Sequence, residues 1–285
     1  MEKMALELKN VSKHYRDFSL DNVSFQVPRG SIVGLIGENG AGKSTTINAI
    51  LGIVQKDGGT VTILDQTDPD PRSRENIGVV FDGNNYPDML TPVQLGKVFA
   101  NIYHSWEPDT YQKLLGKFSI PSDKKIKGFS KGMKMKFAIA VAFSHRSRLL
   151  ILDEATSGLD PVMREEILDM FLDFIQDEDH SILVSSHITS DLEKVADYIV
   201  FIHNGKIVFS KPKDELMENY GIIKCGADFL EKVDREKIIA CRKQDYEWQL
   251  LVDDRRSMQR EYPKAVIVPA SIDEIMLMYV KGESK

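Results

Sequence analysis

A glycine-rich stretch with one lysine and two hydroxyl side chains lies near the start of the chain, at residues 37–45. Its glycines allow the loop to curl, so that successive backbone N–H groups point inward and bind an anion. The lysine would reach the β- and γ-phosphates of a nucleoside triphosphate, and Ser44 would take one coordination place on Mg²⁺. The candidate phosphate contacts are Gly37, Glu38, Asn39, Gly40, Ala41, Gly42, Lys43, Ser44 and Thr45.

The elements on either side of this stretch would hold it in place. Residues 31–36 form an apolar run rich in β-branched side chains, which is typical of a buried strand. Residues 45–51 have apolar side chains at helical spacing, and the positive end of such a helix favours phosphate. Strand, glycine loop and helix are the context that this motif requires. A glycine-rich turn without a ligand is the alternative, and the intact context argues against it.

Two acids follow a second apolar run, at residues 149–152. At the end of a buried strand beside a phosphate loop, Asp153 could hold Mg²⁺ through water, and Glu154 could orient a water for attack on the γ-phosphate. An exposed acidic turn fits poorly, because four apolar residues bury the strand up to the first carboxylate. His187 follows a further predicted strand, at residues 181–185. It is either a structural histidine or a hydrogen-bond partner of a γ-phosphate oxygen.

Two further positions have open interpretations. Tyr15 lies between the alternating segments 6–11 and 18–27, which predict an antiparallel pair of strands. Its ring could stack on an adenine, or it could be an ordinary rim residue. Ser130 suits the N-cap of a helix, and lysines crowd this corner of the sequence. The lysine cluster is either a solvated charged face or part of an anion site at the helix N-terminus.

The composition is that of an ordinary globular chain. The 285 residues are 42% hydrophobic and 28% charged, and the formal charge of −6 argues against extended contact with nucleic acid. Two cysteines are too few for a disulfide framework or a four-ligand metal site, so we expect a reducing, cytosolic setting. The start of the chain lacks the apolar segment of a signal peptide, and no apolar run is long enough to span a bilayer.

The remaining pattern divides the chain. Residues 60–63 and 77–81 predict strands, and residues 91–144 show only helical spacing. Asn204 and Gly205 join predicted strands at 198–203 and 206–210 in a hairpin, and a helix is expected at 211–220. After residue 221 we expect strands at 238–240 and 248–252 and a helix at 271–280. This last segment carries no motif, and an accessory or dimer-contact role is the hypothesis.

Taken together, these motifs resemble the nucleotide-binding subunit of an ATP-binding cassette (ABC) transporter over residues 5–215. Residues 37–44 resemble its Walker A loop, 149–153 its Walker B strand followed by the catalytic Glu154, and 157–160 its D-loop. His187 is at the place of the switch histidine, and Tyr15 at the place of the adenine-stacking aromatic. Residues 129–133, FSKGM, are at the place of the family's signature, LSGGQ.

The sequence departs from the family pattern at two places. The signature keeps Ser130 and Gly132, which in the family contact the ATP of a second subunit, but it has Lys131 between them. Asp82 replaces the glutamine of the Q-loop, and its oxygen could still reach Mg²⁺ or a bound water. Both features are similar to a branch of bacterial transporters that often export peptides, antibiotics or lipophilic compounds.

The resemblance implies an α/β fold: a P-loop NTPase core with an antiparallel β subdomain and an inserted helical subdomain. The pattern after residue 221 adds a small C-terminal αβ extension. The implied domains are residues 1–218, with the helical subdomain at about 88–145, and residues 219–285. Two head-to-tail cassettes, identical or different, would hydrolyse ATP with Mg²⁺ at the cytoplasmic face of the membrane. They would drive a separate multi-span permease, with export expected, and no nucleic acid would be a partner.

Two alternatives use the same phosphate loop. A soluble ABC-type ATPase of translation or DNA repair would have two cassettes in one chain or a long coiled-coil insertion, and neither is present. A small-molecule kinase would have an arginine-rich lid, and it gives no reason for Glu154 beside Asp153 or for the sequence from Ser130 to Gly132. We therefore expect the transporter ATPase.

Overall fold

The computed structural model describes residues 3–68, 75–83, 85–244 and 247–283. These residues contain three β-sheets and ten α-helices. The strands are β1 (Met4–His14), β2 (Ser19–Pro28), β3 (Ile32–Ile36), β4 (Gly58–Ile63), β5 (Gln66–Thr67), β6 (Ile77–Val80), β7 (Leu149–Asp153), β8 (Ser181–Ser186), β9 (Tyr198–His203), β10 (Lys206–Pro212), β11 (Gly221–Cys225), β12 (Ala240–Gln244), β13 (Glu247–Val252) and β14 (Val266–Pro269). The helices are α1 (Lys43–Ile50), α2 (Pro92–Ile102), α3 (Pro108–Lys117), α4 (Lys131–Ala142), α5 (Pro161–Phe174), α6 (Thr189–Val195), α7 (Lys213–Asn219), α8 (Ala227–Leu230), α9 (Arg255–Glu261) and α10 (Ile272–Lys281). Within the described ranges, no helix has the length and apolar character needed to cross a membrane.

The central sheet has the strand order β10-β9-β3-β8-β7-β6 and is parallel except for β10. Every residue of β3, β7 and β8 is buried, as expected for parallel strands covered on both faces. Ile36 pairs with Ser186, and Asp153 pairs with Ser185. The ends of β3, β8 and β7 therefore meet at one edge of the sheet. The strands expected at 31–36, 149–152 and 181–185 are confirmed.

Two layers cover the two faces of the central sheet. Val33 and Leu35 pack toward α1 and an antiparallel sheet of order β2-β1-β4-β5. Ile32 and Ile36 pack into the larger core on the other face, with α4, α5 and α6. The alternation along one strand thus separates two cores. The expected antiparallel pair ahead of the phosphate loop is β1 and β2, with Leu6 paired to Val27.

The segment expected to be helical contains α2, α3 and α4, and aromatic side chains join these helices to the loop after β6. Trp106 lies 5.3 Å from Phe99 and 5.0 Å from Tyr111 between ring centroids, so its role is packing. Tyr86 lies 4.9 Å from Phe137 on α4. Burial raises the pKa of Tyr86 and of Tyr111 above the ordinary phenol value. The loop and the helices therefore form one packed lobe.

The C-terminal segment forms a four-stranded antiparallel sheet of order β12-β13-β11-β14. The sequence predicted only two of these strands, and β12 begins at Ala240 rather than at residue 238. Helix α10 packs against α6, and Ile272, Ile275 and Met278 belong to the larger core of the central sheet. The backbone N–H of Ile272 donates to Glu193 of α6 at 3.1 Å. The segment is thus tied to the helix that follows His187.

The predicted hairpin at Asn204 and Gly205 is confirmed, and it supports the phosphate loop. Gly205 has φ +73°, and its N–H donates to the carbonyl oxygen of Ala41 at 2.9 Å. A Cβ atom at Gly205 would lie 1.8 Å from the carbonyl oxygen of Ser19. A side chain at this position would therefore force strand β2 and the hairpin apart.

We expect Gly205→Ala to lower the free energy of unfolding by about 2 kcal/mol or more, because strain in a positive-φ position adds to the clash. Urea denaturation followed by circular dichroism measures this change. Gly116→Ala is the matched control, since a Cβ atom there meets nothing within 4 Å in helix α3. It should stabilise the chain by about 0.5–1 kcal/mol. Equal effects of the two substitutions would contradict the prediction.

Candidate active site

The loop from residue 37 to 42 joins β3 to α1 and leaves the helix N-terminus open. Gly42 is the N-cap residue with φ +115°, and it has no side chain to accept a hydrogen bond from the first helical N–H groups. A Cβ atom there would lie 2.9 Å from Leu20 and 3.0 Å from the ring of Phe18. The first N–H groups of a helix lack partners within the helix. They are therefore available to an anion, and the expected phosphate loop has the required form.

Lys43 is held across the mouth of this loop. Its side chain is only 6% exposed, and its ammonium donates to the carbonyl oxygens of Gly37 at 2.8 Å and Glu38 at 3.3 Å. Oxygen Oε1 of Glu154 lies 3.6 Å from the same nitrogen. A buried ammonium needs such partners, because desolvation penalises an isolated charge. Lys43 and the predicted catalytic carboxylate of Glu154 therefore form an ion pair.

The strand ends of β7 and β8 bring the predicted acids together with the predicted histidine. Asp153 is buried, and its Oδ1 accepts a hydrogen bond from the Ser185 hydroxyl at 2.5 Å. Glu154 has φ +53°, and its N–H donates to the carbonyl oxygen of Ser185 at 3.1 Å. Nδ1 of His187 lies 2.5 Å from Oε2 of Glu154. The turn after β7 thus directs one carboxylate into the sheet and the other toward the histidine.

A cavity of about 650 Å³ lies at this edge of the sheet, a size suited to a nucleotide. Its lining residues are Asp17, Phe18, Glu38, Asn39, Gly40, Gly42, Lys43, Ser44, Thr45, Asp82, Glu154, Ser157 and His187. Most of the predicted site residues are therefore brought together. Those that lie outside the lining are Tyr15, Gly37, Ala41, Ser130, Gly132 and Asp153.

Asp17, Phe18 and Ser157 line the cavity, although the sequence did not single them out as site residues. Asp17 and Phe18 belong to the turn that follows Tyr15, and the N–H of Tyr15 donates to the carbonyl oxygen of Phe18 at 2.8 Å. Closeness in sequence to Tyr15 is the signal that could have found Asp17 and Phe18, and membership of the D-loop is the signal for Ser157. Tyr15 itself is 45% exposed, with the ammonium of Lys13 at 5.6 Å from its ring centroid.

Ser130 is the N-cap of α4, as predicted, and its hydroxyl accepts from the N–H of Met133 at 3.2 Å. A Cβ atom at Gly132 would lie 3.6 Å from the carbonyl oxygen of Gly158, so this corner packs beside residues 157–160. Asp160 caps α5, and its hydrogen bond from the N–H of Met163 holds the pKa of Asp160 below its usual value. We call Ser130 to Gly132, at the start of α4, the α4 corner. Within one chain it does not line the cavity.

The donor set at the cavity fits Mg²⁺ that shares its coordination with phosphate. Ser44 and Asp82 line the cavity, and Asp153 lies beside it at the end of β7. Among the residues with described positions, no group of three or more His, Cys, Asp or Glu could hold a metal ion alone. Mg²⁺ commonly binds one or two carboxylates together with substrate phosphates and water. Asn84, in the polar loop after β6, lies outside the described residues.

Known ABC transporter proteins match this chain in sequence. The family model described as ABC transporter matches residues 20–157. The lantibiotic transport ATP-binding protein SrtF of Streptococcus pyogenes is 36% identical over 212 residues, which cover 73% of this chain and 91% of SrtF.

Two solved structures share the fold. A solved ATP-binding subunit of an ABC transporter is 31% identical, with a TM-score of 0.66 over 75% of this chain and 92% of its own. The ATP-binding cassette MJ0796, in a dimeric post-hydrolysis state bound to ADP and Pi, is 22% identical. It has a TM-score of 0.66 over 73% of this chain and 98% of its own. The expected α/β cassette fold is therefore confirmed.

We expect Ser185→Ala to raise the Mg²⁺ concentration needed for half-maximal ATP hydrolysis by about tenfold, because the residue that orients Asp153 is lost. Phosphate release measured across a Mg²⁺ titration tests this. Ser144→Ala is the matched control, since Ser144 is also buried but its hydroxyl donates to a backbone group, the carbonyl oxygen of Ala140. An unchanged Mg²⁺ requirement in Ser185→Ala would show that the hydroxyl does not orient a metal-binding carboxylate.

Proposed function

The chain belongs to the ABC transporter family as an ATP-binding, ATP-hydrolysing subunit, and we propose how its residues carry out hydrolysis and what the hydrolysis drives. The similarity to ATP-binding subunits of transporters argues against a soluble ABC-type ATPase of translation or DNA repair, and membership of the ABC family argues against a small-molecule kinase. The proposal depends most on one observation, the position of Glu154 at the cavity between Lys43 and His187.

Glu154 orients the attacking water in this proposal. Its Oε2 is occupied by His187, which fixes the carboxylate, and its Oε1 lies on the side of Lys43. The water oxygen attacks the γ-phosphorus, the bond to the ADP oxygen breaks, and the water proton passes to the carboxylate. In this proposal His187 contacts Glu154 through Nδ1 and a γ-phosphate oxygen through its other ring nitrogen, Nε2.

The phosphate loop supplies the charge that the reaction needs. The open N–H groups after Gly42 and the Lys43 ammonium would bind the β- and γ-phosphate oxygens. Donors held in place before the substrate arrives stabilise developing charge without a cost of reorganisation. Ser44, Asp82 and Asp153 would hold Mg²⁺, which would supply further neutralisation of the phosphate charge.

A second cassette would complete the site. Ser130 and Gly132 lie at the N-terminus of α4, which favours an anion, yet they do not line the cavity of their own chain. In a head-to-tail pair, each α4 corner would cover the ATP of the other copy. ATP then favours the closed pair and its hydrolysis favours opening, as a ligand-driven switch requires.

The helical lobe offers a docking surface for a multi-span permease at the cytoplasmic face of the membrane. Met89, Val93 and Ile102 are exposed apolar side chains near and on α2. Tyr86 packs on Phe99 of α2, with 5.9 Å between the ring centroids, so movement of the loop at Asp82 would reach this surface. Export is the proposed direction, because the departures at Asp82 and Lys131 resemble the exporter branch; SrtF itself is named for the transport of lantibiotics. We propose no nucleic-acid partner, because the net charge of −6 disfavours binding to nucleic acid.

We expect Glu154→Gln to bind Mg·ATP and to form the closed pair, but to hydrolyse ATP at least about 100-fold more slowly, because the amide cannot accept the water proton. Phosphate release measures the rate, and light scattering with saturating Mg·ATP measures the pair. Glu178→Gln, at an exposed turn, is the matched control. Hydrolysis at the parent rate would remove the role of Glu154, and a monomer with bound Mg·ATP would contradict the paired mechanism.

We expect Tyr15→Ala to weaken ATP binding by about tenfold, because base stacking on an aromatic ring contributes about 1–3 kcal/mol. Calorimetric titration of Glu154→Gln with ATP measures the affinity. Inorganic tripolyphosphate is the control ligand, since it has no base and its affinity should not change. Tyr15→Phe should bind ATP like the parent. Equal losses for ATP and tripolyphosphate would show that Tyr15 does not stack on the base.

A further inference from the structure

An ion pair joins the two positions at which this chain departs from the ABC pattern. Oδ1 of Asp82 lies 3.0 Å from the ammonium of Lys131. Both side chains are partly exposed, at 48% and 57%. The family pattern has glutamine and glycine at these positions, which cannot form such a pair. In this chain, therefore, the loop after β6 and the first residue of α4 have an added electrostatic contact.

The first turn of α4 gives a physical reason for this contact. It contains Lys131 and Lys134 and no acidic residue, although the N-terminus of a helix carries partial positive charge. Acids of the loop after β6 offset this charge, since Lys134 also lies 3.7 Å from Asp88. The loop and the helix are thus paired twice, but only the Asp82 pair reaches the nucleotide cavity.

Asp82 lies at the boundary between two spaces. It lines the nucleotide cavity, and it also lines a neighbouring cavity of about 420 Å³ together with Gly83, Phe129, Lys131 and Lys134. The side-chain stem of Lys131 lies against Gly158 in the D-loop, with Cδ 3.6 Å from the position of a Cβ atom there. Lys131, in the signature, therefore contacts both Asp82 at the nucleotide cavity and Gly158 in the D-loop.

We propose that Lys131 is a positioning residue that acts through Asp82. Its ammonium holds the Asp82 carboxylate toward α4, and a cation bound with the triphosphate competes for the same carboxylate. Binding of the cation therefore loosens the contact between the loop and the α4 corner, which frees that corner for the second copy. This inference depends on the proposed paired mechanism. Because the pair is exposed, its effect should be small and should weaken with salt.

A double-mutant cycle in the Glu154→Gln background tests this inference. We measure the Mg²⁺ concentration for half-maximal pair formation at saturating ATP, by light scattering, in Asp82→Asn, Lys131→Met and the double variant. Lys131→Met should lower that concentration about threefold, because the competing ammonium is gone. In the Asp82→Asn background the same substitution should have no effect. Lys134→Met is the matched control for charge and should leave the Mg²⁺ requirement unchanged.

The opposing outcomes are distinct. An equal effect of Lys131→Met with and without Asp82, or an equal effect of Lys134→Met, would overturn the inference, because a general change of charge would then explain it. A raised Mg²⁺ requirement in Lys131→Met would also overturn it, since Lys131 would then act directly on the nucleotide. High salt should reduce the difference between the parent and Lys131→Met.

A nucleotide-free measurement separates this inference from the paired mechanism. If Glu154→Gln does not form a pair with ATP, the paired mechanism fails, and hydrogen exchange of the free chain still tests the contact. Lys131→Met should speed exchange at residues 82–83, and it should add nothing to Asp82→Asn. Unchanged exchange in Lys131→Met would show that the pair does not hold the loop. Thermal melting of each variant checks that the fold is retained.

Discussion

The register between β3, β8 and β7 is the constraint on which the site depends. Ile36 pairs with Ser186 and Asp153 pairs with Ser185, so the residues that follow the three strands leave the sheet side by side. A shift of one residue would exchange the two faces of a strand and move its terminal side chains. Because all three strands are buried, such a shift would break both cores. Burial of the sheet thus determines the geometry of the chemistry.

Electrostatic balance within the cavity is the second condition. Lys43 is buried against two loop carbonyls and the Glu154 carboxylate, so neither charge of this pair is left alone. Glu154 keeps a positive φ, which costs energy for a residue with a side chain. Both the hydroxyl and the carbonyl oxygen of Ser185 accept from its N–H, and the hydroxyl also donates to Asp153. One serine therefore supports the turn that separates the two acids.

The sequence was most informative where local chemistry determines the structure. The loop before Lys43 and the acids at 153 and 154 follow continuous apolar runs, and such runs predict buried strands well. Strand β14 was missed because it is short and Val266 on it is exposed, so its alternation is weak. Strand β11 was missed as well. The pair between Asp82 and Lys131 could not be predicted either. It depends on how the loop and α4 pack in three dimensions.

Two of the connections between the cavity and the rest of the chain differ in kind. On one side, Asp82 contacts α4 through an exposed ion pair, which is weak and reversible, while Tyr86 packs on Phe137 by apolar contact. On the other side, α6 follows His187 and is joined to α10 by a buried core. A reversible contact can change with the ligand, whereas a packed core transmits displacement as a unit. The Asp82 side is therefore the one suited to respond first when the cavity is filled, and the α6 side is suited to hold His187 in place while it does so.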